Sequence, residues 1–433
     1  MILSKRMLPI LGVVGIAALS ACGTSTTTTS SSGGGGSSLA SCQGTITVAT
    51  DLPLTGGDAT DGPPVEKAAH LAVTQANTNK VLGGCTLKYV SKDDATVLKN
   101  GHDPAQGAAN LTALSSDQSV VGVVGPFNSN VAVAEIPVAS QNHLAMISPS
   151  NTNPGLTQVG TNPDVNTTSL YPGAKTYFRV IGTDITQGQI LSFVGTTELK
   201  FTKAYVIDDQ ETYGKGLSTF FQKYFAADGG TVVGTASLPG TTKDFHTQVA
   251  DAQSKGAQVI FFGGTSGNGC GILRSQMPAS LPELGGDGCQ DDKFISDAGS
   301  NALGAEVTSA PDASKLTTAT KFYTDFKSTY NEDGTESPYT PYGFDSMNAL
   351  IQAIKAVIVA NNDQPPSDSM TFRDAVVAQL HKISYSGATG TVAFDANGDT
   401  THAGFSLYTI NGTKWAPKEL LTADATGKVT VAG

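Results

Sequence analysis

Hydroxyl and amide side chains follow two apolar segments within Val120–Thr152, VVGVVGPFNSNVAVAEIPVASQNHLAMISPSNT. The first segment, Val120–Val124, is followed by Ser129, which opens a run of Ala, Val and Glu that favours a helix. The second segment, Leu144–Ile147, is followed by Ser150–Thr152. Hydroxyl groups and free backbone N–H groups can hold a carboxylate without Arg or Lys. The pattern predicts a binding site for an anionic group. The alternative is a helix cap at Ser129 and a plain polar loop at Ser150–Thr152.

The elements that must position these side chains alternate between strand and helix. An apolar run such as Val120–Val124 suits a parallel strand with helices on both faces. The predicted elements of a first lobe are strand Thr45–Ala49, helix Val65–Asn77, strand Thr86–Val90, helix Asp103–Ser115, strand Val120–Val124, the helix from Ser129 and strand Leu144–Ile147. The alternation predicts an α/β fold with a doubly wound sheet and a ligand crevice at the carboxyl ends of the strands.

The alternation then restarts, which predicts a second lobe of the same type. Its elements are strand Thr176–Ile181, a helix from Thr186, strand Ala204–Asp208, helix Leu217–Ala227, strand Thr231–Leu238, helix Phe245–Lys255, strand Gln258–Phe262 and strand Lys293–Ser296. Helices Pro341–Ala360 and Met370–Lys382 should pack back on the first lobe, and Gly404–Trp415 is typical of a β-hairpin. Two similar lobes suit a clamshell binding protein.

The N-terminus carries export signals. Lys5 and Arg6 precede a short apolar run, which predicts a signal peptide over residues 1–21. Leu19–Cys22 (LSAC) resembles the bacterial lipobox, whose Cys is diacylated (palmitate) and anchors the mature protein to the membrane. The alternative is a plain secretory signal. Residues 22–42 are predicted to comprise the lipidated Cys and a flexible tether, because Gly23–Ser41 is almost all Ser, Thr and Gly, with an expected reach of about 25 Å. No later stretch is predicted to span a membrane.

Composition and motifs argue against nucleic-acid binding and against catalysis. The formal net charge is −11, or −13 without Lys5 and Arg6, and no basic patch invites nucleic acid. The sequence contains no G-x-S-x-G, H-E-x-x-H or Walker motif, and its six His are scattered, so we predict neither an enzyme nor a cofactor.

Four of the five cysteines fall into two local pairs. Cys42 and Cys85 each lie beside the start of a predicted strand and can bridge if those strands are neighbours. Cys270 and Cys289 flank one helix and its following loop. We predict the disulfides Cys42–Cys85 and Cys270–Cys289. The alternatives, a metal site or a catalytic thiol, lack accompanying His residues, and no metal site is predicted.

Several short motifs in order resemble the type I periplasmic binding proteins of the branched-chain amino-acid (Leu/Ile/Val) ABC transporter family. The resemblance covers residues 43–415 and rests on Asp51–Gly56 (DLPLTG), Gly125–Ser129 (GPFNS), Met146–Pro149 (MISP), Asp184 with Gln187-Gly188, Tyr213–Gly216 (YGKG) and Gly390–Asp399 (GTVAFDANGD). It implies a three-stranded hinge with crossings near Gly182, near 306–309 and near 386–390. Lobe one would then comprise residues 43–181 plus 307–387, and lobe two residues 182–306 plus 388–433.

The resemblance also implies ligand-binding residues. Ser129, Ser150 and Thr152 would hold a carboxylate on lobe one. Asp297, predicted at a strand end of lobe two, would hold an ammonium group with help from Tyr213 and Asp184. The alternatives are a turn-capping role for Asp297 and a packing role for Tyr213.

Two positions depart from the family pattern. Asp61 and Thr265 stand where some family members place aromatic walls, and a polar wall favours a smaller or more polar ligand. Tyr339 could still supply one aromatic face. We therefore expect a monomeric, lipid-anchored extracytoplasmic protein that captures an amino acid or related amide by lobe closure and delivers it to an ABC permease. The alternatives are a sensor that signals to a partner protein and a binder of another small solute such as urea.

Overall fold

The computed structural model describes residues 39–424 and 426–432. The predicted signal peptide, Cys22 and most of the tether lie outside the described residues. The strands are β1 Thr45–Leu52, β2 Thr86–Asp93, β3 Ala95–Thr96, β4 Gly101–His102, β5 Val120–Val124, β6 Ala145–Ser148, β7 Tyr177–Arg179, β8 Lys203–Asp208, β9 Thr231–Ser237, β10 Val259–Gly263, β11 Glu283–Gly285, β12 Ala305–Ser309, β13 Ser384–Gly387, β14 Gly390–Ala393, β15 Phe405–Asn411, β16 Lys414–Ala423 and β17 Val429–Ala432.

The helices connect these strands in the order that the alternating pattern predicts. They are α1 Gly62–Thr78, α2 Pro104–Ser116, α3 Ser129–Gln141, α4 Thr167–Leu170, α5 Asp184–Phe193, α6 Thr212–Ala227, α7 His246–Ser254, α8 Cys270–Gln276, α9 Asp292–Ala298, α10 Thr320–Tyr330, α11 Thr340–Ala360 and α12 Ser369–Leu380.

Two sheets form the two lobes. The lobe-one sheet has the order β2-β1-β5-β6-β7, and all its pairings are parallel. The lobe-two sheet has the order β17-β16-β15-β12-β11-β10-β8-β9, parallel from β12 to β9 and antiparallel from β12 to β17. The predicted α/β fold with two doubly wound lobes is confirmed, and the predicted hairpin corresponds to β15 and β16.

The apolar runs form the centre of each lobe, as their lack of polar residues predicts. Every residue of β5 and of β10 is buried. Gly122 leaves room for Leu350 of α11, whose side chain would lie 2.4 Å from a Cβ at that position. The 21-residue helix α11 has the length and hydropathy of a membrane span, but 61% of its most apolar window is buried inside the protein. It is therefore best explained as the core helix of lobe one.

Both predicted disulfides are present, Cys42–Cys85 and Cys270–Cys289. The first follows from strand pairing, because β1 and β2 are parallel neighbours with Thr45 opposite Thr86. One predicted strand is wrong: Lys293–Ser296 lies within α9. The Asp291 side chain caps that helix by accepting a hydrogen bond from the backbone N–H of Phe294 at 2.8 Å.

Candidate functional site

A crevice between the lobes is lined by residues that follow the carboxyl ends of parallel strands. On lobe one, Ser129 begins α3 beyond β5, and Ser150 follows β6. On lobe two, Tyr213 lies in the first turn of α6 beyond β8, and Asp287 follows β11. The lining residues are Phe127, Asn128, Ser129, Asn130, Ser150, Thr152, Glu211, Tyr213, Thr265, Asp287 and Gly288. The topology thus brings both groups of strand ends to one place, as doubly wound sheets require.

Lobe one contributes a buried group of hydroxyl side chains. Ser129, Ser150 and Thr152 are 3%, 4% and 1% exposed. Their loop is held by Ser148, whose hydroxyl accepts a hydrogen bond from the backbone N–H of Asn151 at 2.9 Å. The Ser150 hydroxyl donates to the carbonyl oxygen of Phe127 at 2.8 Å. The first N–H groups of α3 have no acceptor within their own helix, so this face can donate to an anion.

Lobe two contributes a carboxylate. Asp287 Oδ1 accepts hydrogen bonds from Gln187 Nε2 and Tyr213 Oη, both at 2.7 Å. Asp287 Oδ2 accepts one from Tyr339 Oη of lobe one at 2.5 Å. Burial raises the pKa of Asp287, and these three donors oppose that shift. An ionised carboxylate has about four acceptor positions, so a further donor can still be accommodated.

Asp184 lies directly behind the lobe-one hydroxyls. Its backbone N–H donates to the carbonyl oxygen of Thr152 at 2.8 Å. Burial raises the pKa of Asp184 to about 8, and the neighbouring Thr152 hydroxyl opposes the shift. A second buried acid therefore stands next to the crevice.

Among the site residues predicted from the sequence, five line the crevice together: Ser129, Ser150, Thr152, Tyr213 and Thr265. Asp184 contacts Thr152, and Tyr339 reaches the crevice through its bond to Asp287.

Asp297 lies elsewhere, and its predicted position at a strand end is wrong. It belongs to α9 and forms an ion pair with Lys293 one helical turn away, at 2.7 Å. The acid that lines the crevice beyond a strand end is Asp287, which follows the three-residue strand β11, and Glu211 is a second acid in the lining. A signal for Asp287 was available in the turn Gly285–Gly288 (GGDG), where an acid stands between glycines.

Sequence reasoning also missed an ionic bridge between the lobes. His102 of lobe one binds Asp58 of its own lobe through Nδ1 at 2.9 Å and Glu211 of lobe two through Nε2 at 2.8 Å. Asn130 Nδ2 also donates to Glu211, at 3.2 Å. Burial alone would lower the pKa of His102, but Asp58 and Glu211 raise it well above its ordinary value. The imidazolium is thus the charge that joins the lobes at this edge.

Comparison with known proteins identifies the family. The sequence model of the periplasmic binding protein family matches residues 45–414. The chain belongs to this family.

Relatives of this periplasmic binding protein share its length. It is 29% identical over 369 residues to "Leu/Ile/Val-binding protein homolog 3" of Brucella melitensis, covering 84% of this chain and 90% of the relative. It is 28% identical over 385 residues to "Leu/Ile/Val-binding protein BraC3" of Rhizobium johnstonii, covering 88% and 94%.

Solved structures of similar fold extend the comparison. The leucine-binding protein LivK of Thermotoga maritima has a TM-score of 0.73 at 22% identity, over 87% of this chain and 98% of that one. LivJ of Streptococcus pneumoniae, solved in complex with isoleucine, has a TM-score of 0.72 at 23% identity, over 90% and 100%. A solute-binding protein of R. palustris, solved with benzoate, has a TM-score of 0.70 at 19% identity, over 87% and 96%. At these identities the likeness shows the shared fold.

The crevice of this periplasmic binding protein is polar. Among the lining residues that the structure describes, Phe127 has a purely apolar side chain, and the others are polar or glycine. Asp61, at one position that departs from the family pattern, faces Asp291 of lobe two. Burial and the charge of Asp291 raise the pKa of Asp61 well above its ordinary value. Thr60 donates to Asp291 at 3.1 Å, so a hydroxyl–carboxylate bond joins the two lobes at this point.

Proposed function

We propose that this protein captures a small zwitterionic solute, an amino acid or a related amide, between its lobes. The observation that carries the proposal is the opposition of two buried faces. The first N–H groups of α3 and the hydroxyls of Ser129 and Thr152 lie on the lobe-one side of the crevice, and the carboxylate of Asp287 lies on the lobe-two side. Ser150 lies with the lobe-one group, where its own donors bond to Phe127 and Ser148. A carboxylate and an ammonium group need these two kinds of partner, because either charge is costly to bury alone.

Lobe closure follows from where the partners sit. The donors belong to lobe one and Asp287 to lobe two, so both ends of a zwitterion are satisfied only when the lobes meet. A solute with this differential affinity shifts the population toward the closed form. Tyr213 and Thr265 would make further contacts to the solute from lobe two. Asp184 lies against Thr152 and Tyr339 bonds to Asp287, so these two residues would set the charge and position of those neighbours.

The polar crevice supports a solute that is smaller or more polar than a branched aliphatic amino acid. The relatives named as Leu/Ile/Val-binding proteins support an amino acid as the class. The structural neighbours described as branched-chain amino-acid transporter proteins support delivery to an ABC permease. We extend this to an anchor: the lipobox at Leu19–Cys22 supports a diacylated Cys22 and a monomer tethered above the membrane.

The boundaries of the lobes are part of the proposal. We place lobe one at 43–181 plus 307–387 and lobe two at 182–306 plus 388–433, with one adjustment. Arg179 of lobe one forms a buried ion pair with Asp399 at 2.7 Å, and Asp345 of α11 accepts hydrogen bonds from the backbone of Ala388 and Thr389. These contacts support a last crossing after Asp399 instead of near 386–390.

A thermal-shift screen over amino acids, short amides, urea and sugar acids tests the proposal, because a bound ligand raises the unfolding temperature by mass action. We expect stabilisation by a small zwitterion and not by urea or a sugar acid. Asp287→Asn should weaken binding of that zwitterion about 30-fold or more by calorimetry, from the loss of a buried charge partner worth about 2–5 kcal/mol.

Asp297→Asn is the matched control, since Asp297 lies in α9 and pairs with Lys293 outside the crevice lining. It should leave affinity unchanged. Near-UV circular dichroism checks that Asp287→Asn is folded. Equal affinity of folded Asp287→Asn and wild type would refute the role of Asp287, and stabilisation by urea alone would refute the zwitterion.

A further inference from the structure

Three acids meet inside lobe one, away from the residues that line the crevice. Asp51 lies near the end of β1, Asp94 directly follows β2, and Glu135 lies on α3. Each residue is 0% exposed. One carboxylate oxygen from each lies within 4.8 Å of the other two. Three separate elements thus direct carboxylates to a single point in the protein interior.

The donors that usually satisfy buried carboxylates are scarce here. Among the described residues, no N–H or hydroxyl group donates a hydrogen bond to either oxygen of Asp94, to either oxygen of Glu135 or to Oδ2 of Asp51. Asp51 Oδ1 alone accepts one, from Asn110 Nδ2 at 2.9 Å. Buried ions normally have charge or hydrogen-bond partners because desolvation costs several kcal/mol per ion.

The neighbouring backbone leaves space for the carboxylate of Glu135. A Cβ at Gly107 of α2 would lie 2.6 Å from Glu135 Oε1 and 2.5 Å from a methyl group of Val131. Helix α2 can therefore approach α3 at this level only with glycine at position 107. The glycine therefore accommodates both the Val131 side chain and the carboxylate of Glu135, although an apolar side chain at position 135 would need no partner at all.

We propose that Asp51, Asp94 and Glu135 form a structural calcium site in lobe one. An ion at the centre of three oxygens 4.8 Å apart lies about 2.8 Å from each, an upper limit close to the Ca–O distances of about 2.3–2.6 Å. The donor set is oxygen only, which suits hard cations, and carboxylates can bind through both oxygens to complete the larger coordination number of calcium. Magnesium fits less well because it keeps several waters, whereas these residues are fully buried.

The site would join β1, the β2–β3 junction and α3, and α3 carries Ser129 at the crevice. A cation there would fix the start of α3, and with it Ser129, relative to the central strand. The sequence prediction of no metal site considered His and Cys spacing, and three acids spread from position 51 to 135 give no local motif.

The competing explanation is that the acids share protons. Burial raises the pKa of Asp51 to about 7. Burial and the charges of Asp51 and Asp94 raise that of Glu135 well above its ordinary value. If protons alone hold the cluster, the folded state gains protons relative to the unfolded state, so stability is lost as the pH rises through these raised values. If calcium holds it, the carboxylates are ionised and this loss disappears in the presence of the metal.

The test uses the purified full chain, stripped with a chelator and then dialysed against calcium chloride. We expect about one calcium per chain by elemental analysis, and a higher unfolding temperature in 1 mM calcium than in sodium chloride of equal ionic strength. Glu135→Gln and Asp94→Asn should each reduce bound calcium at least tenfold and abolish that temperature shift.

Glu283→Gln is the matched control. Glu283 in lobe two is also 0% exposed, and neither of its oxygens has a hydrogen-bond partner among the described residues, yet it is outside the three-acid cluster. It should bind calcium like the wild type. The proposal is overturned if the wild type binds no calcium. It is also overturned if proton sharing accounts for the cluster: calcium would then leave the unfolding temperature of the wild type unchanged, lowering the pH from 8 to 6 would raise that temperature, and Glu135→Gln would remove the pH effect.

Discussion

The bridge between His102 and Glu211 gives a quantitative prediction for lobe closure. Glu211→Gln removes the charge on lobe two and leaves the His102–Asp58 pair of lobe one in place. A hydrogen bond between charged groups contributes about 1.5–3 kcal/mol. The Glu211 side chain is 30% exposed, so screening by water favours the low end. A loss of about 1.5 kcal/mol should raise the open-to-closed ratio about tenfold.

Small-angle X-ray scattering without ligand measures this ratio, because opening increases the radius of gyration. The matched control is another ion pair between the lobes, Lys215–Asp164, at 2.8 Å with side chains 47% and 39% exposed. Exposed pairs contribute about 0–1 kcal/mol, so Asp164→Asn should shift the ratio by no more than a few-fold. An equal effect of Glu211→Gln and Asp164→Asn, or no effect of either, would refute the reasoning.

The same bridge makes closure sensitive to pH. Asp94 and Asp209 also face His102, in addition to Asp58 and Glu211; burial raises the pKa of Asp94 and of Asp209, and the charge of His102 opposes that shift. Its own pKa is raised in the closed protein, so the stabilisation is fully present below the ordinary value of about 6.5 and is lost as the pH rises through the raised value. The scattering profile of the wild type should therefore report opening toward alkaline pH. Glu211→Gln should show a smaller change over the same range.

Other contacts predict effects on stability that urea unfolding can measure. Replacing Cys42 and Cys85 by Ala removes a link between positions 43 residues apart and should lower the free energy of unfolding by about 3–4 kcal/mol; a loss below about 1 kcal/mol would contradict the chain-entropy estimate. Arg179→Met leaves the buried Asp399 without its cationic partner and should cost about 3–5 kcal/mol, and adding Asp399→Leu should restore at least half of that. Phe221→Ala should cost about 3–5 kcal/mol, because this ring is buried and stacks on Phe261 at 4.0 Å; a cost under 1 kcal/mol would show that the core repacks.

The alternating fold could be predicted because its signals are local. Val120–Val124 and Gln258–Phe262 are apolar runs bounded by polar or turn residues, and they correspond closely to the buried strands β5 and β10. The helices between strands have proline or amphipathic spacing at the expected positions. Half of the candidate site follows from the same signals, because Ser129 and Ser150 lie directly beyond strands that the pattern identifies.

The other half could not be placed because two short elements carry ambiguous signals. Strand β11 has only three residues, Glu283–Gly285, which is too short for a period-two pattern. The four residues Lys293–Ser296 contain the apolar pair Phe294 and Ile295, which suits a short strand or a helix equally, and Asp291 caps them as a helix. Because the sequence pattern does not reveal β11, it assigns the acid at a strand end to Asp297 instead of Asp287. The bridge at His102 and the three buried acids depend on contacts across the fold, which no local pattern encodes.

The surroundings of Asp287 constrain how a solute can drive closure. Its donors come from both lobes, since Gln187 and Tyr213 belong to lobe two and Tyr339 belongs to lobe one. The acid therefore already gains a bond when the lobes meet without a solute. A ligand that merely replaced Tyr339 would exchange one donor for another and would shift no population. Binding must add a contact to lobe two, and the acceptor position that remains on Asp287 can supply it. The donors at the start of α3 hold the carboxylate of the solute on lobe one in both forms, so closure should depend on the ammonium group.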